Sequence, residues 1–208
     1  MTTETGRAGL VALLLAITGC YMNGFGPGDC VSTPPATIAF TGGQRDAATV
    51  GYTYSQGVAA SAGTMLGPSY AIEAVQAPFD AQVDSHGVTW LPSAGAAGIT
   101  QPFHLRSDTD LCGKAADLAW TVHVYPAIEI TSFTATPPVA STAGTPVTLQ
   151  AVYTGGVGAL VGPFEAPFPS GATLDAGTVS STTTFTLQVV SPAGDQLQQA
   201  LTVVAQGP

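Results

Sequence analysis

Hydrophobic and polar residues alternate in short runs from about residue 36 to residue 206. Representative runs place Trp120, Val122 and Val124 on one face, and Phe185, Leu187 and Val189 on another. Glycine, proline, serine and aspartate separate the runs, and no sustained 3.6-residue period appears. Similar alternation is found at Val50/Tyr52/Tyr54, Tyr70/Ile72/Ala74, Phe79/Ala81/Val83, Val88/Trp90, Phe103/Leu105, Val147–Tyr153 and Leu197–Val203. The pattern predicts an all-β chain, in which each strand hides one face against an opposing sheet.

The strands fall into two sets, which predicts two domains, 36–125 and 126–208. The junction at Tyr125-Pro126-Ala127 is too short to act as a flexible linker, so we expect a semi-rigid, end-to-end pair. In the first strand of the second set, the apolar positions change from even (Ile130) to odd (Phe133). A β-bulge that turns this strand from one sheet toward the other would explain the change.

The N-terminal segment has a different character. Ala8–Gly19 is apolar but far shorter than the roughly 20 residues of a membrane-spanning helix, and Arg7 precedes it. Ile17-Thr18-Gly19-Cys20 resembles the lipobox of bacterial lipoproteins. The resemblance implies that residues 1–19 are a signal-peptide helix, that Cys20 carries lipid, and that the membrane is a partner through this anchor. A buried helix with an incidental cysteine is the alternative.

Residues 20–35 are rich in glycine and proline and predict a flexible tether between the anchor and the first domain. Tyr21, rather than aspartate, follows the cysteine. In a bacterium with two membranes, the lipoprotein resemblance then implies a place in the cell envelope at the outer membrane or cell surface.

Charge excludes some classes of partner. Only 8% of the residues are charged. The chain has four Lys and Arg residues and 13 Asp and Glu residues, which gives a net charge of −9. Nucleic-acid binding needs clusters of basic side chains, so a nucleic-acid partner is not expected. Electrostatic attachment to anionic lipid is disfavoured for the same reason.

Three segments of the second half resemble bacterial immunoglobulin-like (Ig-like) repeats: Ile130–Ala135, Ala143–Leu149 and Thr182–Val189. The first half is similar to Ig-like and cadherin-like modules at Val50–Tyr54, Gly87–Pro92 and Trp120–Val124. The resemblance implies two consecutive Ig-like β-sandwiches. It specifies fold better than function, because such sandwiches host many unrelated roles.

With Cys20 lipidated, Cys30 and Cys112 remain as one pair, and an oxidising compartment would favour a disulfide between them. In an Ig-like topology, the chain before the first strand and the turn between the last two strands lie at the same end of the sandwich. Closing this loop would stabilise the fold by about 4–5 kcal/mol in the chain-entropy model. Two free thiols are the alternative.

Candidate chemical sites are weak, and no cofactor is expected. Asp108 and Asp110, with Asp84 or Asp117, offer oxygen ligands for calcium, but aspartates are also ordinary turn formers. The three histidines, His86, His104 and His123, lack metal-binding spacing, and His104 and His123 are expected to face solvent. A glycosidase pair of carboxylates could be imagined among four acidic residues, but surface solvation explains them better: Glu73, Asp80, Asp84 and Glu165.

Aromatic residues give two open choices. Trp90 and Trp120 either form a sugar-stacking platform or anchor the core, and their apolar register favours the core. Phe164 and Phe168 lie among prolines and glycines. They either cap the second core or form an exposed apolar contact for a partner.

The sequence thus predicts a non-enzymatic, lipid-anchored cell-surface protein. Its Ig-like domains would serve as spacer and as adhesion or binding surface for an unknown protein or glycan. The alternative is a carbohydrate-binding accessory module at the cell envelope. A hydrolase is a remote third hypothesis, since no Gly-x-Ser-x-Gly motif is present.

Overall fold

A computed structural model describes residues 36–62, 71–107 and 115–207. The predicted signal-peptide helix and tether lie outside these ranges, as do Cys20, Cys30, Cys112 and the Asp108/Asp110 loop. Tyr70, predicted to begin a strand, also lies outside them. Within the described ranges, no helix is long and apolar enough to cross a membrane.

The first sandwich consists of two four-stranded sheets. Its strands are β1 Ala36–Phe40, β2 Ala47–Thr49, β3 Tyr54–Ala62, β4 Ile72–Gln76, β5 Gln82–Asp84, β6 Gly87–Trp90, β7 Thr100–Ser107 and β8 Asp117–Tyr125, with a 3₁₀ turn at Ala94–Ala96. The sheet orders are β1-β3-β6-β5 and β2-β8-β7-β4. Every pairing is antiparallel except that of β2 with β8.

The core of the first sandwich is aromatic. Phe103 stacks on Trp120 with ring centroids 5.0 Å apart and packs edge-on against Trp90 at 5.9 Å. Tyr54 joins the stack, and its hydroxyl accepts a hydrogen bond from Nε1 of Trp120 at 3.0 Å. Flat rings in this arrangement fill the space between the two sheets and satisfy the buried indole N–H.

The second sandwich repeats the plan. Its strands are β9 Glu129–Thr136, β10 Val139–Ser141, β11 Thr145–Thr154, β12 Val157–Val161, β13 Ala166–Pro167, β14 Thr173–Val179, β15 Thr183–Val190 and β16 Gln196–Gln206. The sheet orders are β14-β11-β9 and β10-β16-β15-β12-β13. Strictly alternating burial along β11 places Val147, Leu149, Ala151 and Tyr153 in the core.

Both halves therefore have the Ig-like topology, in which the strands divide between two facing sheets and the pairing is antiparallel except where β2 meets β8 and β10 meets β16. The prediction of an all-β fold with two consecutive Ig-like sandwiches is confirmed for the described residues. In each sandwich the entering chain pairs first with one sheet and then, through β2 or β10, with the last strand of the other sheet.

The predicted bulge is present, but it does not transfer the strand between sheets. Val152 pairs with Ser132 and Tyr153 with Ile130, so Thr131 is an extra residue in β9. The chain crosses to the other sheet only after Thr136, where two prolines interrupt the ladder because they cannot donate a backbone hydrogen bond.

Two predicted strand segments are wrong. Residues 50–53 form a turn between β2 and β3, in which Gly51 adopts a φ of 80° and the Tyr52 amide donates to Thr49 O at 3.1 Å. Phe79 belongs to a turn that precedes β5, where the Ala81 amide donates to Pro78 O at 3.0 Å. In both segments, apolar residues two positions apart lie in a turn and pack against different partners. Their alternation therefore does not mark one face of a strand.

Candidate functional site

A buried hydroxyl contact joins the two sandwiches. Thr49, the last residue of β2, places its Oγ1 2.8 Å from Oγ of Ser191, in the turn between β15 and β16. Both residues are almost inaccessible to solvent. Separating the sandwiches would break this buried hydrogen bond and leave Ser191 Oγ only the hydrogen bond that it accepts from the Asp195 amide, so the contact favours one relative arrangement.

The segments around this contact also cross the junction. Tyr52 packs against the core of the second sandwich, and its hydroxyl lies 3.3 Å from Gln196 O, to which it donates. The connection between β8 and β9 is three residues long, and its last residue, Ile128, is buried in the second core. The backbone of Ala127 lies so close to Gly155 that any side chain at Gly155 would collide with it.

A second feature is an open depression of about 320 Å³ on the first sandwich. Its lining includes Phe79, Asp80, Trp90, Ser93, Gly95 and Gln101. Asp80 is fixed there because its Oδ1 accepts a hydrogen bond from Nε1 of Trp90 at 2.8 Å. This volume lies near the lower end of the roughly 300–1,000 Å³ that is usual for ligand pockets.

Trp90 and Trp120 are core residues. They are 3% and 6% exposed, and both contact Phe103. Neither ring is available as a stacking platform in this structure, in agreement with the choice that the register favoured.

Phe164 and Phe168 both pack on the second core. Phe168 is only 1% exposed, and its carbonyl accepts a hydrogen bond from the Tyr153 hydroxyl at 2.6 Å. Phe164 is half-buried and meets Phe185 edge-on, with centroids 6.2 Å apart. Of the two alternatives for this loop, the structure places Phe168 in the core-capping role and leaves it no surface for a partner. Phe164 keeps a part of its surface accessible.

Polar side chains form a small network on the outer face of the β2-β8-β7-β4 sheet. Oδ1 of Asp117 lies 2.8 Å from Nε2 of His104 and accepts a hydrogen bond from Nε of Arg106 at 2.9 Å. The hydrogen bond from Arg106, followed by that from His104, lowers the pKa of Asp117. The carboxylate in turn raises the pKa of Arg106. His104 and Arg106 thus both contact the carboxylate of Asp117, and the three side chains form a surface ion-pair cluster.

The remaining candidate groups are dispersed. Oδ1 of Asp84 accepts hydrogen bonds from the amides of His86 and Gly87 and thereby closes the β5–β6 turn. Glu73 lies opposite Arg106 on β4, whereas Glu165 belongs to a loop of the second sandwich. Within residues 36–62, 71–107 and 115–207, no three histidine, cysteine or acidic side chains are grouped as metal ligands.

Sequence reasoning missed Thr49, Ser191 and the exposed position of Phe79. No local signal marks the two hydroxyl residues, because they are 142 positions apart and each is typical of a strand end or a turn. For Phe79 a signal was present: Pro78 and Asp80 flank it, and both residue types favour turns.

No known protein family and no curated protein matches this chain. Solved structures of Ig-domain proteins resemble it in fold. The ectodomain of mouse nectin-like molecule 4 has 12% identity and a TM-score of 0.35, with 85% of this chain and 66% of that chain covered. The insect immune protein hemolin has 9% identity and a TM-score of 0.36, with 82% of this chain and 47% of that chain covered. The N-terminal four Ig domains of Dscam1 isoform 6.9 have 10% identity and a TM-score of 0.29, with 86% of this chain and 47% of that chain covered. This chain spans from about half to two thirds of their lengths.

Proposed function

We propose that this protein is a non-enzymatic, lipid-anchored surface protein whose two Ig-like sandwiches form a semi-rigid spacer carrying a binding surface. The observation that carries the spacer role is the buried contact between Thr49 and Ser191. A chain that only connected two independent domains would need no buried pair of hydroxyls between them.

The junction opposes the mobility that is the usual expectation for two domains of one chain. Ile128 inserts into the second core, Tyr52 reaches across from the first sandwich, and Ala127 lies against Gly155. Rotating the sandwiches apart would expose the apolar surface of Tyr52 and break the contact between the hydroxyls of Thr49 and Ser191. A fixed angle between the domains holds a distal surface at a defined distance from the anchor.

The occupied carboxylates support the non-enzymatic role. Asp84 caps a turn, Asp117 binds two basic side chains, and Asp80 accepts a hydrogen bond from an indole. Each of these interactions is an ordinary structural use of a carboxylate. Glu165 lies on the other sandwich from these three groups, so it does not complete an acid–base pair with them.

The anchor is tested in the native host by mass analysis of the N-terminus, with Cys20→Ser as the comparison. We expect the wild-type protein to begin at a lipid-modified Cys20 in the membrane fraction. The Cys20→Ser variant should accumulate with residues 1–19 attached. An unmodified Cys20, or a retained Met1 in the wild-type protein, contradicts the proposal.

The spacer is tested by ¹⁵N relaxation of the full chain. We expect residues of both sandwiches to report one rotational correlation time, because the junction holds them together. The Thr49→Val variant should increase the independent motion of the two sandwiches. Two separate, shorter correlation times in the wild-type protein would contradict a semi-rigid spacer.

A carbohydrate-binding role is the second candidate, and one observation favours it. The two tryptophans are buried, but Phe79 is fully exposed beside the polar depression of the first sandwich. This arrangement leads to the more specific inference below.

A further inference from the structure

Phe79 is the most exposed large apolar side chain among the described residues. Its relative exposure is 107%, whereas Tyr54 and Phe103 in the same sandwich are 1% exposed. Holding an aromatic ring in water is unfavourable, and the fold gains no packing from it. The ring lies beside the open depression, so a ligand seated there could contact it.

The polar side chains around the depression have unused hydrogen-bonding capacity. Among the described residues, Asp80 uses one carboxylate oxygen, and the side chains of Ser93 and Gln101 form no hydrogen bond. Elsewhere on the surface, neighbouring polar groups pair with each other, as Thr184 does with Thr202. The depression therefore offers an oriented acceptor, a hydroxyl and an amide to an incoming molecule.

We propose that this depression binds one ring of a neutral oligosaccharide. The apolar face of the sugar would lie on Phe79, Oδ2 of Asp80 would accept hydrogen bonds from ring hydroxyls, and Ser93 and Gln101 would both donate and accept. This inference rests on the proposed binding function and assigns it a ligand class and a place on the first sandwich.

The lining favours a polyol over other ligands. An anion would be repelled by Asp80 and by a chain of net charge −9. A purely apolar ligand would bury the carboxylate and the amide without partners, which is costly. A cationic side chain would suit Phe79 and Asp80 but would leave the donor groups of Gln101 unmatched. Sugar hydroxyls match all of these groups because each donates and accepts.

Gly95 helps to keep the depression open. A Cβ built at this position meets only Oγ of Ser93, at 4.0 Å, and the backbone there does not require glycine. The Gly95→Leu substitution therefore tests the site by placing a bulky side chain at its lining without a backbone clash. Phe79→Ala tests the platform, and because the ring buries nothing, the thermal midpoint of unfolding should not change.

Isothermal titration of the full chain with cellohexaose, maltohexaose and chitohexaose provides the measurement. We expect at least one hexamer to bind the wild-type protein, with an affinity that is insensitive to salt because the ligand is neutral. Phe79→Ala should weaken binding about tenfold through loss of the aromatic contact. Asp80→Asn keeps an acceptor for Trp90 and should weaken binding several-fold, since charge-assisted hydrogen bonds are stronger. Val157→Ala, at an exposed apolar residue of the second sandwich, is the matched control and should bind normally.

Three outcomes would overturn the inference. In the first, none of the three hexamers binds. In the second, Phe79→Ala and Gly95→Leu both bind a hexamer as tightly as the wild-type protein does. In the third, the protein binds an oligolysine peptide in a salt-sensitive manner and does not bind the sugars. A separate assay cross-links the protein to its partner in intact envelope. If the wild-type protein and Phe79→Ala form the same specific cross-linked complex while no hexamer binds, the sugar inference fails and the proposed surface function stands.

Discussion

The hydroxyls of Thr49 and Ser191 lie 2.8 Å apart across the junction of the two sandwiches, although the residues are 142 positions apart in sequence. Replacing Thr49 with valine keeps the shape of the side chain but removes this buried hydrogen bond, and Ser191 Oγ keeps only the hydrogen bond that it accepts from the Asp195 amide at 3.1 Å. We expect a loss of unfolding free energy of about 1–3 kcal/mol, measured by urea denaturation. Ser191→Ala should cost more than Thr49→Val, because it also removes the acceptor of the Asp195 amide.

The surface pair Thr184 and Thr202 provides the matched control. Its hydroxyl oxygens are 2.9 Å apart, but the pair is exposed, and water replaces either partner. Thr184→Val should change the unfolding free energy by less than about 0.5 kcal/mol. If Thr49→Val and Thr184→Val lowered the unfolding free energy equally, burial of the junction hydroxyls would add nothing to the strength of their contact.

Removing the Tyr54 hydroxyl should destabilise the first sandwich. Tyr54→Phe keeps the ring stack but deprives the buried Nε1–H of Trp120 and the carbonyl of Arg45 of their partner. We expect a cost of about 1–3 kcal/mol by thermal or urea unfolding. In Tyr125→Phe, the control, the lost hydroxyl has no hydrogen bond among the described residues, and the stability should be nearly unchanged.

A methyl group at Gly158 should be poorly tolerated. Its Cβ would lie 2.5 Å from Cζ of Tyr153, whose hydroxyl accepts a hydrogen bond from the Gly158 amide and donates to Phe168 O. Gly158→Ala must displace this buried ring, and we expect a loss of about 1–3 kcal/mol. Gly43→Ala, with nothing within 4 Å of the added Cβ, should lose almost none. A fully stable Gly158→Ala variant would contradict the rigid packing of Tyr153.

The ion-pair cluster predicts a dependence of stability on pH. The hydrogen bonds from Arg106, then from His104, lower the pKa of Asp117 from its ordinary value of 3.8. The folded state therefore favours the charged carboxylate, so its contribution is complete above pH 3.8 and is lost as the pH falls through the lower folded-state value. Asp117→Asn should be less stable than wild type at neutral pH, and the difference should shrink in acid. A pH-independent difference between pH 2 and 6 would argue against this linkage.

The proposed disulfide between Cys30 and Cys112 is tested by counting thiols in the denatured protein from its native host. We expect no reactive thiol, and we expect reduction to lower the thermal midpoint. Cys30→Ser should expose one thiol, at Cys112. Two reactive thiols in the wild-type protein would show that the bridge is absent.

Four strands of the second sandwich, β9, β11, β15 and β16, could be predicted closely from the sequence, whereas β10, β12, β13 and β14 were not predicted. Along β11, Val147, Leu149 and Ala151 are buried while Thr148, Gln150 and Val152 face outward, because the strand has one covered face. Alternation is an accurate guide whenever a strand packs against a single opposing sheet. The bulge at Thr131 was predictable for the same reason, since an inserted residue shifts the parity.

Alternation failed where neighbouring residues pack against different bodies. Val50 and Tyr54 belong to the first core, whereas Tyr52 packs against the second, so three apolar residues at regular spacing mark a junction turn and not a strand. The depression was also unpredictable, because Phe79 and Gln101 come together only through the fold. A single sequence specifies which residues prefer burial but not which core receives them.

The parallel pairs β2–β8 and β10–β16 determine how the molecule responds to a pull along its length. In each sandwich the entering segment runs beside the departing one, as Val139–Ser141 runs beside Val204–Gln206. Tension on the two ends of a domain then slides these segments past each other and stretches their hydrogen bonds simultaneously, and does not peel them apart one at a time. Such a geometry raises the force that is needed to unfold each sandwich when it is pulled from its two ends.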